Sequence, residues 1–139
     1  MSDKVFIDTN IWVYARVEGT DLEKHKKAIS FLRNLSNRVI ISTQVINEFY
    51  SALSKNMIAE AKIQSAIEQI LPDVELNKLS LNTIRKSWEI KLKYQLSIYD
   101  SLIIASALEA DCKILYTEDL QHNQLIEGKL RITNPFISE

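Results

Sequence analysis

At 139 residues the chain has room for one domain (1–139) that buries its own core without disulfides or structural metal. A formal net charge of −1 lacks the domain-wide basicity that marks many nucleic-acid binders, although a local basic patch stays open. The lone Cys112 excludes an internal disulfide and fits a buried, inert thiol in a reducing, cytoplasmic setting. The start, Met1 to Lys4, holds no apolar signal region, and no apolar run is long enough to span a bilayer.

In chain order, Val5-Phe6-Ile7 is a short apolar run of β-branched and aromatic type, a predicted buried strand that stops on Asp8. Thr9 and Asn10 are turn or N-cap residues leading into a first helix through Ile11 to Ala15. A second helix is predicted from Asp21 to about Ser36, with Leu22, Ile29, Leu32 and Leu35 inward and Lys24, Lys27 and Arg33 outward. His25 lies near that stripe as a partly buried, hydrogen-bonded side chain, since no second His or Cys has ligand spacing. Val39-Ile40-Ile41 is a second strand, and Ser42 or Thr43 caps a third helix that turns Val45, Ile46, Phe49, Ala52 and Leu53 inward.

A fourth helix over about Ala59 to Leu71 is stopped by Pro72, and Val74 to Leu76 is a brief, charged edge strand. From Ser80 to Lys93 the spacing predicts a fifth helix with Leu81, Ile84, Trp88 and Leu92 as its apolar seam. The sixth helix runs from about Ile98 to Ala110, followed by strands over Lys113 to Tyr116 and Leu130 to Thr133. Strands alternating with helices imply an α/β domain, with a parallel twisted sheet of about five strands and right-handed crossovers.

Four acids stand out by position. Asp8 ends the first strand, Glu48 lies early in the third helix, Asp100 opens the sixth, and Asp119 follows the fourth strand. Each is near a strand's carboxyl end or a helix terminus, at the sheet edge where ligands bind. Singly, each fits a humbler role: Asp8 as a helix cap, Asp100 in a capping box with Ser97, Glu48 as a surface acid, Asp119 in a turn. Together on one rim they would repel, and one would keep its proton unless a cation arrived. Oxygen donors without His or Cys suit Mg²⁺ or Mn²⁺ rather than zinc.

These residues carry a resemblance that covers almost the whole chain. Phe6-Ile7-Asp8-Thr9-Asn10-Ile11, Ser42-Thr43-Gln44-Val45-Ile46-Asn47-Glu48-Phe49, Tyr99-Asp100-Ser101-Leu102-Ile103-Ile104-Ala105-Ser106-Ala107 and Leu115-Tyr116-Thr117-Glu118-Asp119, in this order and spacing, resemble the PIN-domain ribonucleases. Within that family the chain resembles the VapC-type toxins of toxin–antitoxin pairs. The resemblance implies a single PIN-like domain that hydrolyses RNA phosphodiesters with Mg²⁺ or Mn²⁺ and leaves a 5′ phosphate. It places the family's four acids at Asp8, Glu48, Asp100 and Asp119. Asp8 and Asp100 are the first choices as ligands; Asp119 completes the cage, and Glu48 ligates or positions the attacking water. Thr9, Asn10 and Thr117 would orient those oxygens. One departure is that Leu120-Gln121-His122-Asn123 stands where many relatives place a further acid and Phe. It leaves open whether Glu118 shares the role of Asp119; His122 is read as a loop residue.

The resemblance also implies a homodimer, a cognate antitoxin that silences the site, structured RNA such as transfer or ribosomal RNA as substrate, and no direct DNA binding by this chain. Trp12, Tyr14 and Tyr99 lie in sequence near the acids and can stack on bases, although packing is the commoner use of Trp12 and Tyr14. Arg16, Lys55, Lys91 and Lys93 are available to phosphate without a motif behind them. Two other readings compete. A non-catalytic PIN-like module for RNA or protein would use the acids for caps and structure. A phosphatase with an aspartyl nucleophile would want a second Asp two positions after Asp8, where Asn10 stands.

Overall fold

The computed structural model describes residues 3–19 and 21–137; Met1 and Ser2, part of the start read above as free of a signal region, lie outside them. The chain runs β1 (Lys4–Ile7), α1 (Thr9–Arg16), α2 (Leu22–Asn34), β2 (Arg38–Ser42), α3 (Thr43–Lys55) and α4 (Glu60–Ile70). A 3-10 turn (Leu71–Asp73) follows, then β3 (Glu75–Asn77), α5 (Leu81–Tyr94), α6 (Ile98–Glu109), β4 (Ile114–Tyr116), β5 (Leu125–Ile126) and β6 (Leu130–Thr133). The strands form one sheet in the order β3-β2-β1-β4-β6-β5. All neighbours pair in parallel except β5, which is antiparallel to β6.

The predicted alternation of strands and helices is borne out, and β3 takes the edge position expected of a short charged strand. Pro72 closes α4 by opening the 3-10 turn. Ser42, rather than Thr43, caps α3 by accepting from Val45 N–H. Alternation along β1 sends Phe6 into the core formed with α5, α6 and the far strands. Ile7 instead joins Ile11 and Ala28 beneath α1 and α2. Cys112 is buried beside the first of these cores, which pushes its thiol up to about 12. Among the described residues no helix is long and apolar enough to cross a membrane.

The expected parallel sheet of about five strands is borne out, and two helix faces are corrected. The sheet holds a sixth strand, β5, too short at two residues to show a period. Its hairpin turn puts Glu127 and Gly128 both at positive φ, a conformation unfavourable for Glu. The Glu127 carboxylate is clasped by Lys93 Nζ (2.6 Å) and Tyr94 Oη (2.9 Å) of α5, which fixes the turn against that helix.

On α5 the buried residues are Thr83, Ser87 and Ile90, on the opposite side from the predicted seam. Leu81, Trp88 and Leu92 are exposed, Leu92 at 80%. The small hydroxyl residues let α5 approach α6, and Thr83 Oγ1 donates to Glu109 Oε1 across the contact (2.9 Å). On α2, Leu22 is exposed, while Ala28 with Phe31, Leu32 and Leu35 makes the inner face. Lys24, expected outside, turns back to pair with Glu118 at 2.7 Å.

Candidate functional site

Strand β1 is covered on both faces, so Val5, Phe6 and Ile7 are fully buried and the strand delivers Asp8 to its carboxyl end. There Asp8 N–H donates to Tyr116 O of β4 at 3.0 Å. The order of the sheet reverses at β1, with β2 and β3 on one side and β4 and β6 on the other. The carboxyl ends of β1 and β4 therefore flank the switch point, the usual crevice for a ligand in an open parallel sheet.

Asp8, Glu48 and Asp119 each accept side-chain or backbone hydrogen bonds through their carboxylates. Asp8, 6% exposed, caps α1 by accepting from Thr9 N–H at Oδ1 (2.7 Å), and its Oδ2 accepts from the Thr117 hydroxyl (2.8 Å). Thr9 Oγ1 donates to Glu48 Oε1 (3.1 Å), joining α1 to α3. Asn10 Nδ2 donates to Asp119 Oδ2 (2.8 Å) and reaches Thr117 Oγ1 (3.4 Å). Thr117 Oγ1 also accepts from Asp119 N–H (3.2 Å), so one hydroxyl ties both ends of the crevice. Asp100 sits in the first turn of α6, its N–H capped by Ser97 Oγ (3.1 Å).

Electrostatics link the four. Burial pushes the Asp8 carboxyl up to about 7; the Thr117 hydroxyl and Thr9 N–H pull against that rise, and the charges of Glu48 and Asp119 add to it. Asp100 is also raised, first by burial and then by Asp119, with Ser97 opposing. Folding thus brings the charges of Glu48 and Asp119 to bear on Asp8, and that of Asp119 on Asp100, from four separate stretches of the chain.

Glu118 is placed apart from that group in its bonding. Tyr14 Oη donates to its Oε1 (2.5 Å) and Lys24 Nζ to its Oε2 (2.7 Å). The Lys24 ammonium also lies over the rings of Tyr14 and Phe136. Glu118 thereby serves to fasten the loop after β4 onto α1 and α2. His122 behaves as a loop residue, its Nδ1 accepting from Asn134 N–H (3.0 Å). His25 Nδ1 donates to Tyr14 O (2.7 Å), joining α2 to α1.

One residue without an assigned role belongs to the site. Gln44 lies one turn before Glu48, and its Nε2 donates to Glu48 Oε1 (3.3 Å) and to Tyr99 O (3.3 Å). The i,i+4 spacing on a helix beginning at Ser42 was the available signal.

Among the described residues no three His, Cys, Asp or Glu side chains stand close enough to make an ion cage by themselves. The chemistry nonetheless fits a hard cation: the donors are all oxygen, Asp8 is disfavoured as an anion, and Asn10 Oδ1 and Gln44 Oε1 are buried without a partner.

The PIN-domain profile matches residues 5–127. The chain belongs to the PIN-domain family. No curated protein sequence matches it. Among solved structures, this PIN domain is similar to the Mycobacterium tuberculosis toxin VapC20, described as cleaving the sarcin–ricin loop, at 18% identity and a TM-score of 0.70, covering 83% of this chain and 91% of that one. A toxin–antitoxin complex from Klebsiella pneumoniae is similar at 20% identity and a TM-score of 0.70, with 95% and 98% covered. VapBC2 of Rickettsia felis, bound to a promoter DNA fragment, follows at 23% identity and 0.63, with 84% and 88% covered. At these identities the PIN domain shares its fold with those proteins, and function has to be argued from the site.

Proposed function

We propose that this PIN domain is a divalent-metal-dependent RNA endonuclease and the toxin of a toxin–antitoxin pair. The observation that carries the reading is the charge that Glu48 and Asp119 bring to bear on Asp8. Asp8, Glu48 and Asp119 are each fixed by donors from Thr9, Thr117, Asn10 or Gln44, at a cost that caps and turns alone do not require. The reading places Asp8, Asp100 and Asp119 around Mg²⁺ or Mn²⁺, with Glu48 as a further ligand or as the group that orients water. Thr9, Asn10 and Thr117 orient these oxygens.

When bound, such a cation supplies positive charge to the phosphate and acidity to a water. The chain's own contribution is orientation. Glu48 Oε1 is occupied by two donors, Thr9 Oγ1 and Gln44 Nε2, which leaves Oε2 to accept from the attacking water. Attack in line with the leaving 3′ oxygen yields a 5′ phosphate and a 3′ hydroxyl and needs no neighbouring 2′ hydroxyl. Asp8→Asn and Asp100→Asn are expected to lose RNA cleavage with Mg²⁺ while remaining folded. Full activity in both variants, or equal wild-type activity in EDTA, overturns the reading.

As partner we propose an antitoxin segment that presents an amphipathic helix, with a homodimer as the assembled toxin. Supporting the first is a groove of about 450 Å³ whose lining sets Trp12, Leu32, Val39 and Ile70 beside the charged Arg16 and Asp73, a mixed surface that suits an amphipathic helix. A basic side chain from such a segment would be drawn to the acidic crevice by charge-assisted hydrogen bonds. The uncovered apolar face of α5 favours a second copy. DNA contact would fall to the antitoxin, in keeping with this chain's mild negative charge, and a cytoplasmic location goes with that role. The competing reading, a non-catalytic module, leaves the unpartnered amide oxygens of Asn10 and Gln44 without a purpose. It predicts no Mg²⁺-linked stabilisation.

A further inference from the structure

Single-stranded RNA is held in proteins by aromatic side chains on which bases stack, and such a ring must be exposed, uncommitted and rigidly mounted beside the chemistry. Nearly every aromatic residue near the crevice fails one of these conditions. The Trp12 indole N–H donates to Ile7 O (3.2 Å), and its ring packs into all three apolar clusters. Tyr14 is bonded to Glu118, with its ring edge on Phe136 at 5.4 Å between centroids. The Tyr116 ring meets Phe31 at 4.6 Å. Farther away, Tyr50 bonds to Glu60 and Tyr94 to Glu127.

Tyr99 meets all three conditions. It is 64% exposed, it immediately precedes Asp100, and neither its hydroxyl nor its ring has a partner among the described residues. A lone exposed tyrosine is unremarkable in itself. What distinguishes this one is its mount. Its carbonyl accepts from Gln44 Nε2 (3.3 Å), the same nitrogen that donates to Glu48 Oε1 (3.3 Å). One amide therefore locks the backbone that carries the ring to the carboxylate that faces the water. Ser97 fixes the same turn through Asp100 N–H. A ring whose backbone is already ordered loses less freedom when a base settles on it.

We propose that Tyr99 is a base-stacking residue that holds a nucleotide flanking the scissile phosphate, with Gln44 as the positioning residue that aligns it with Glu48. The proposal rests on the RNA-endonuclease reading above. A stacked base is bound alike in ground state and transition state, so its removal raises KM and leaves kcat nearly alone.

The experiment uses the full chain with Mg²⁺ and a randomised pool of single-stranded RNA oligonucleotides, with cut sites found by sequencing the ends. Kinetics are then measured on one cleaved oligonucleotide and on copies carrying an abasic position next to the cut. Tyr99→Ala is expected to raise KM between about fivefold and a hundredfold, the range that base–aromatic stacking spans, with kcat changed less than about twofold. Tyr99→Phe and Tyr99→Trp are expected to restore most of the loss and Tyr99→Leu little of it. On the abasic substrate, wild type and Tyr99→Ala are expected to match, because the second loss does not add to the first. Melting temperatures should be equal throughout, since the ring supports no core.

An unchanged KM in Tyr99→Ala, or a Phe variant as weak as the Ala variant, overturns the proposal while the nuclease reading stands. A wild-type chain that cuts neither the pool nor folded transfer or ribosomal RNA overturns both.

Discussion

Replacing Asp8 by Asn should make the metal-free protein more stable, by an amount that depends on pH. In the folded chain the Asp8 carboxyl is pushed from 3.8 up to about 7, first by burial and then by Glu48 and Asp119. The folded state therefore keeps a proton that the unfolded chain releases. The associated stability is fully present below pH 3.8, declines as pH rises, and is gone above about 7. Roughly three pH units at about 1.4 kcal/mol each give a cost on the order of 4 kcal/mol at pH 8.

The substitution abolishes that cost but loses a hydrogen bond. Asp8 accepts from both Thr9 N–H and Thr117 Oγ1, and the Thr117 oxygen already receives Asn10 Nδ2 and Asp119 N–H. The introduced amide NH₂ thus meets either a donor or a filled acceptor, a loss of about 1 kcal/mol. The net expectation is a gain of about 3 kcal/mol at pH 8, shrinking to nothing between about pH 4 and 5 and reversing below. For a chain of this size that is on the order of 10 °C in melting temperature. Denaturant unfolding in EDTA from pH 4 to 8.5, wild type against Asp8→Asn, reads it directly. A variant no more stable than wild type at pH 8, or a difference that does not vary with pH, refutes the assignment of Asp8 as a strained carboxylate.

Saturating Mg²⁺ should raise the melting temperature of the wild type and leave Asp8→Asn nearly unmoved, since only the carboxylate gains from the ion; equal shifts would separate metal binding from this crevice. Glu127 is held down to about 2, chiefly by the Lys93 ammonium and the Tyr94 hydroxyl, so its contribution is present above about pH 4.5 and fades as pH falls toward 2. After allowance for solvent screening, Glu127→Gln should cost about 1 kcal/mol at pH 7, with the gap to wild type narrowing in acid; a constant gap would mean the hairpin turn does not depend on this charge. Trp88→Glu, on the exposed face of α5 at 52% exposure, should lower any self-association seen by sedimentation while leaving the monomer folded, whereas an unchanged oligomer would place the interface elsewhere.

The positions of the acids were legible because local signals fixed them. Asp8 ends an apolar run and Asp100 follows a Ser-capped start, so strand ends and helix starts alone singled them out. Glu118 and Asp119 could not be separated this way, because the difference lies in a lysine 94 residues distant that claims one of them. The buried face of α5 departs from its apolar seam for a related reason. Periodicity reports which face is apolar, whereas Thr83 and Ser87 are buried because α6 comes close and Glu109 supplies a partner.

Gln44 combines both cases: its link to Glu48 follows from helix spacing, and its link to the Tyr99 carbonyl only from the fold. Local pattern and tertiary structure agree over most of this chain and conflict at Asp8. A residue well suited to cap α1 is there buried near like charges, its carboxyl pushed up to about 7. A cap alone is served equally by Asn or Ser, which carry no charge to bury. A carboxylate at a position where it costs stability is therefore the physical argument for the proposal that Asp8 serves the nuclease chemistry.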